Sequence, residues 1–252
     1  MKLALSFVAL GVSLTATAVA GAQPPDTPSS SYQYQPSTPL YLPEAEQRSW
    51  EQSHVAAPTK ALELTVGSGY TQGFGSLQSG VGMPSVATPG IGVDVGVGYR
   101  MSPKAAVLVS GQYQELTAER ASGARGLTGT LGLTYHLAPM QRVDPWVEVG
   151  TGYRLLWEDP VAGPNLLTHG FQLGRVRAGL DFRAGPNAAI GPMIGADANL
   201  FLFQDIPGVQ TNIADPTVST FVFAGLQGRF DAGGTSTGMS VGSTGTKTVA
   251  KQ

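Results

Sequence analysis

Between residues 62 and 230 the chain alternates apolar with polar or small residues in eight successive stretches, and this period of two constrains the fold more than any other feature. Alternation of that kind sends every second side chain to one face of a β-strand, whereas an amphipathic helix needs a period of 3.6. The stretches cover approximately residues 62–71, 90–100, 104–115, 125–137, 146–157, 170–183, 188–203 and 219–230, divided by clusters of Gly, Pro, Asn and Asp. Such clusters turn a chain between strands. One face carries no charge in any stretch: Leu62, Leu64, Val66 and Tyr70 stand for the first, Ile91, Val93, Val95, Val97 and Tyr99 for the second. The other face collects Glu63, Asp94, Arg100, Glu148, Arg154, Arg175, Arg177, Asp181, Asp197 and Arg229, with Ser, Thr and Gln between them.

The aromatic residues indicate which face is outside. If the chain enters the first strand from one side of a sheet and the strands then run up and down, the apolar-face aromatics sort into two levels. Tyr70, Tyr113, Tyr153 and Trp157 fall at one end, and Tyr99, Tyr135, Phe182 and Phe230 at the other, with aliphatic residues between. Two aromatic girdles around an aliphatic band are the dress of a barrel whose apolar face meets lipid. The connections agree with that arrangement. Residues 71–89, 157–169 and 204–218 are long, whereas 101–104 and the turn at Pro186-Asn187 are tight, so long connections are expected at one end only. The expected architecture is therefore all-β: an eight-stranded antiparallel up-and-down transmembrane β-barrel over residues 61–231.

The flanking sequence fits export. Met1 and Lys2 precede an apolar run over 3–14, and Ala18-Val19-Ala20-Gly21-Ala22 provides small-x-small cleavage sites, so residues 1–22 are expected to be a secretory signal peptide cut after Ala22. The run is shorter than the roughly 20 residues a spanning helix requires. Residues 23–60 hold seven prolines at 24, 25, 28, 36, 39, 43 and 58 among Ser, Gln and Thr, and are expected to be a Pro-rich periplasmic linker. Residues 232–252 are mainly Gly, Ser and Thr and are expected to be a disordered tail.

Composition removes several chemistries. Fifteen Lys and Arg against 17 Asp and Glu leave a net charge of −2, no footprint for nucleic acid. Without cysteine there is no disulfide, thiolate metal site or cysteine nucleophile. Of the three histidines, His54 lies in the linker, while His136 and His169 are read on the inward phase near opposite ends of the barrel, without a Ser or Thr spaced to pair with them. Glu158, Asp159, Asp205 and Asp215 read as solvated loop acids rather than calcium ligands. No catalytic residue, cofactor or metal is expected. The repeated G-x-G-Y at 67–70, 96–99 and 150–153 lacks the spacing and following helix of a phosphate loop. Its glycines are expected to face inward and leave room for arginines. Pro192 removes a ladder donor and is expected to mark a bulge.

Residues 62–230 resemble the small eight-stranded outer-membrane β-barrels and are similar to the transmembrane domain of outer membrane protein A. The last stretch, Phe221-Val222-Phe223-Ala224-Gly225-Leu226-Gln227-Gly228-Arg229-Phe230, is similar to the terminal aromatic signal by which such barrels are recognised for assembly. It differs in having Gly228 where a hydrophobic residue is usual and 22 residues after Phe230. The resemblance implies a place in the bacterial outer membrane, contact with outer-membrane lipid and the barrel assembly machinery, and a structural or surface-interaction role in which four outer loops meet an unidentified surface partner. Two alternatives remain at this point: a narrow gated pore for small solutes, and a soluble periplasmic barrel that binds a ligand.

Overall fold

The computed structural model describes residues 55–236 apart from 120, 162 and 208. The expected signal peptide, most of the expected linker and residues 237–252 of the tail lie outside the described residues. The elements in chain order are β1 (Pro58–Thr59), β2 (Ala61–Gln78), β3 (Val81–Gly82), a short helix α1 (Met83–Val86), β4 (Gly90–Arg100), β5 (Ala105–Leu116), β6 (Ala121–His136), β7 (Val143–Pro160), β8 (Leu166–Gly185), β9 (Ala188–Ile206), β10 (Val209–Asn212), β11 (Val218–Ala232) and β12 (Thr235–Ser236). Eight of these, β2, β4, β5, β6, β7, β8, β9 and β11, pair antiparallel with their sequence neighbours. The sheet closes where β11 meets β2, with Phe230 opposite Leu64 and Phe223 opposite Thr71. Closure leaves no barrel strand with an unpaired edge, the condition for a sheet to stand in lipid. The fold is the expected eight-stranded antiparallel barrel.

The end with the connections 101–104, 137–142 and 186–187 and the start of β2 is termed the inner end, and the opposite end the outer one. The strands reach further outward than the apolar alternation indicated. β2 continues to Gln78, eight residues past Tyr70, and Glu158, Asp159 and Asp205 lie in strands rather than loops. Backbone pairing in a closed barrel needs no apolar side chains, so the ladder continues past the point where the apolar period stops. Of the three outer connections expected to be long, two remain so. Residues 117–120 and 161–165 are short, and only 79–89 and 207–217 are extended, carrying β3 with α1 and β10 respectively.

Two irregularities correct the expected phases. β8 holds one residue more than its neighbours at Leu173–Gly174: Gly150 pairs with Arg175 but Gly152 with Gln172. An extra residue reverses the in-out phase beyond it. His169, expected inward, therefore projects from the outer wall on the same side as Phe171. At Pro192 the opposite happens. The β8–β9 ladder has no pairs between Gly179–Met193 and Phe182–Ile190, yet the register is the same on both sides, so the proline leaves a gap rather than the expected bulge.

The linker and tail meet at the inner end. Pro58–Thr59 pairs antiparallel with Thr235–Ser236, and the Ala57 N–H donates to the Pro139 carbonyl at 2.8 Å. Lys60 turns the chain into β2 from the left-handed region at φ 54°. Gly234, at φ 84°, could carry no side chain, since a Cβ there would stand 2.5 Å from the Thr59 carbonyl oxygen.

Candidate functional site

The strand period places one face of every strand in the lumen, and the character of that face changes along the axis. At the outer mouth an apolar plug forms from Leu77, Leu116, Leu156, Phe201 and Phe221 of the wall, with Met83 and Val86 of α1 folded in from above. Pro84 lies in the first turn of this helix, where a missing N–H costs nothing. Below the plug the lumen is polar. All ten charged residues of the alternating polar face are buried there, and so are Asp144, Arg183, Asp231 and His136.

The upper ion pairs form one connected group. Arg154 Nη1 donates to Asp197 at 3.3 Å, its other amino group to the Gln114 side-chain oxygen, and its guanidinium lies 3.4 Å from the centre of the Phe221 ring. Arg175 grips Asp197 with two donors at 2.8 and 3.0 Å and Gln112 at 2.7 Å. Arg177 holds Glu148 in a two-pronged contact at 2.8 and 2.6 Å and crosses to Asp94 at 3.0 Å. Three arginines face three carboxylates. Planar guanidinium forks suit such bidentate pairing better than lysine would, and every cation among these buried pairs is arginine.

The lower group surrounds Glu63. Arg100 reaches it at 2.8 Å, and Arg229 reaches its other oxygen. Arg229 also meets Asp181 at 2.9 Å, which accepts a 3.0 Å bond from the Trp146 ring N–H. Arg100 and Arg183 share Asp231 at 3.3 and 3.5 Å. Asp144 lies 3.5 Å from Arg183 and 2.8 Å from His136. His136, Asp144 and Asp181 bring potential metal-ligand atoms within 4.8 Å of one another, but guanidinium groups already stand against both carboxylates.

Alternation had picked out ten of these residues, and Asp144, Arg183, Asp231 and His136 join them in the structure. Asp144 and Asp231 lie just beyond the apolar stretches, where the period can no longer be read. Arg183 ends its stretch in the phase of Arg175 and Arg177, a signal that was present in the sequence. The inward phase of His136 was legible, but its carboxylate partner was not.

The glycines of the G-x-G-Y segments face inward, yet arginines do not fill the space they leave. A Cβ at Gly67 would stand 3.1 Å from Met193, one at Gly96 2.5 Å from the Thr65 hydroxyl, and one at Gly152 2.9 Å from Gln172. The arginines instead lie against carboxylates, whose attraction outweighs the room on offer.

On the outside, Tyr70, Tyr113, Tyr99, Tyr135, Phe182 and Phe230 are all exposed, with Tyr153 and half-buried Trp157 on the same wall. Phe74 and Phe171 join them, although alternation had not singled them out. Between the girdles the wall is aliphatic, and Val95 and Leu226 expose 53 and 59% of their surface. His169 sits at the outer girdle, stacked on Phe203 with ring centres 5.3 Å apart, bonded to the Tyr153 hydroxyl and 3.3 Å from Asp205. Among the described residues no helix is long and apolar enough to cross a membrane.

No protein-family model matches the sequence, and no curated protein matches it. Among solved structures, Neisserial surface protein A is similar over 67% of this chain and 96% of its own, at 10% identity and a TM-score of 0.51. The outer membrane protein OprG from Pseudomonas aeruginosa covers 70% of this chain and 99% of its own, at 12% identity and a TM-score of 0.46. The attachment invasion locus protein Ail of Yersinia pestis covers 68% and 99%, at 13% identity and a TM-score of 0.41. At such identities the likeness is one of fold. The chain has the fold of the small eight-stranded outer-membrane barrels, of which Neisserial surface protein A is a solved example.

Proposed function

We propose that this chain is a bacterial outer-membrane barrel with a structural and surface-interaction role, in which a closed, side-chain-filled cylinder holds an outer edge rigidly for contact with partners. The observation that carries this reading is the packing of the lumen. Eight strands enclose about enough space for their own side chains, whereas water-filled porins need about sixteen. In this barrel the space holds an apolar plug above two groups of paired charges. Membrane residence is supported by the aliphatic wall between two aromatic girdles, which water would solvate poorly. The contact surface is the outer edge, where Val161, Val209 and Val218 stand exposed beyond the girdle on or beside the strand ends and extended connections. Strand β11, ending in an aromatic residue followed by Asp231-Ala232, is the segment that the barrel assembly machinery would engage. The reading assigns no chemical step.

Purified protein in planar lipid bilayers tests it. The expected result is no stable, reproducible conductance. Steady single-channel currents that change when Arg177 or Asp197 is replaced would establish a gated pore and overturn the closed-cylinder reading.

A further inference from the structure

Outside the lumen the described charges divide by end. At the inner rim the exposed charges are Lys60 ahead of β2, Lys104 in the turn 101–104 and Arg142 in the turn 137–142. The acids at that level, Glu63, Asp144, Asp181 and Asp231, all point into the lumen and are buried. At the outer rim the balance is reversed. There Glu115, Glu119, Glu158, Asp159, Asp205 and Asp215 are exposed or half-buried, and the described cation among them, Arg125, is spent on Asp159 at 3.0 Å.

The three inner cations are held in place by their backbones. The Lys60 N–H donates to the Arg100 carbonyl at 2.8 Å, the Lys104 carbonyl accepts from the His136 N–H at 2.7 Å, and the Arg142 carbonyl accepts from the Arg183 N–H at 2.8 Å. They stand at β2, at the β4–β5 turn and at the β6–β7 turn, so they form an arc along one side of the rim, fixed by the barrel rather than carried on a loose tail. Apolar surface lies between them. Beside Lys104 a cleft of about 480 Å³ is lined by Pro103, Leu137, Ala138, Pro139 and Met140, and Met101 and Leu137 are 49 and 56% exposed. Long cationic side chains next to apolar ones match a molecule with an anionic head and a hydrocarbon body.

We propose that the inner rim binds anionic phospholipid of the surrounding bilayer, with Lys60, Lys104 and Arg142 meeting headgroup phosphates and Leu137 and its neighbours meeting the acyl region. The proposal rests on the membrane-spanning reading above. It makes the two ends unequal toward lipid, since the acidic outer rim repels the headgroups that the inner rim attracts.

The test uses the full chain in nanodiscs of phosphatidylcholine containing a minority of phosphatidylglycerol, with folding followed by heat-dependent gel mobility and retained lipid counted by native mass spectrometry. Wild type should retain phosphatidylglycerol above its bulk share, and about 1 M salt should abolish the enrichment by screening. Replacing Lys60, Lys104 and Arg142 by Gln should lower it by about fivefold for each cation removed, with folding intact, whereas Arg125→Gln should leave it unchanged. Equal retention by wild type and the triple variant would overturn the proposal. Failure to enter any bilayer would overturn the membrane reading and this proposal together, whereas insertion without preference would overturn this proposal alone.

Discussion

Glu63 joins two arginines of the inner network, one of its oxygens facing Arg100 at 2.8 Å and the other Arg229. Removing one partner of a buried ion pair strands the remaining charge and costs about 3–5 kcal/mol. Glu63→Gln should therefore lower the midpoint of urea unfolding clearly, read by the gel mobility of the folded form. Glu115→Gln, an exposed outer-rim acid, should leave the midpoint in place. Equal shifts from the two variants would mean that the Glu63 pairs carry no special weight. Glu158 is not a suitable control, because it lies half-buried within β7 rather than in a loop. The neighbouring cations depend on one another: Arg229 meets Glu63, Asp181 and His136 at once, so replacements in this group should not add independently.

Within β8, a single extra residue at Leu173–Gly174 determines which chemistry faces lipid. Inward of it Arg175, Arg177 and Asp181 enter the lumen, and outward of it Phe171 and His169 leave it. The bulge thereby turns a histidine that strict alternation would bury in the lumen into part of the outer girdle, beside Tyr153 and Phe203. Tryptophan placed at 169 should be quenched by brominated lipid, while tryptophan at 136 in the same barrel should not. Quenching at 136 instead of 169 would show that the phase is not reversed. Helix α1 acts in a similar way on its own connection. By folding Met83 and Val86 into the mouth, it turns part of an apparently free loop into a stopper, and the outer edge available for contact moves to residues 207–217 and the strand tips.

For the molecule as a whole, orientation follows from where the extended connections and the chain ends lie. Membrane-impermeant thiol reagents applied to intact cells should reach cysteine at Val209 or Asp215, which are exposed at the outer end. They should not reach cysteine at Lys104 in an inner turn. A cysteine at Met83 should also stay unlabelled, because that side chain is fully buried in the plug. Labelling at 104 but not at 209 would invert the barrel. The ends differ in more than loop length: the outer end is closed by apolar packing, the inner end by ion pairs and by the short β1–β12 ladder.

Alternation alone determined the number of barrel strands, their antiparallel order, the outward aliphatic face and the inward position of Glu63, Arg177 and their kin. A period of two is a property of neighbouring residues, and in a barrel the two faces meet solvents as different as lipid and a crowded lumen. The aromatic levels were legible for the same reason, since each depends only on distance along a strand. What tertiary structure alone decided falls where the local period ends or slips. Strand length past the girdle depends on pairing with a neighbour, so Asp144, Asp159, Asp205 and Asp231 passed as loop or boundary residues. The phase of His169 depends on a bulge set by the partner strand opposite Thr151. Which arginine meets which carboxylate is a matter of three-dimensional closure: Arg229 and Glu63 are 166 residues apart in sequence, and only the seam between β11 and β2 brings them together.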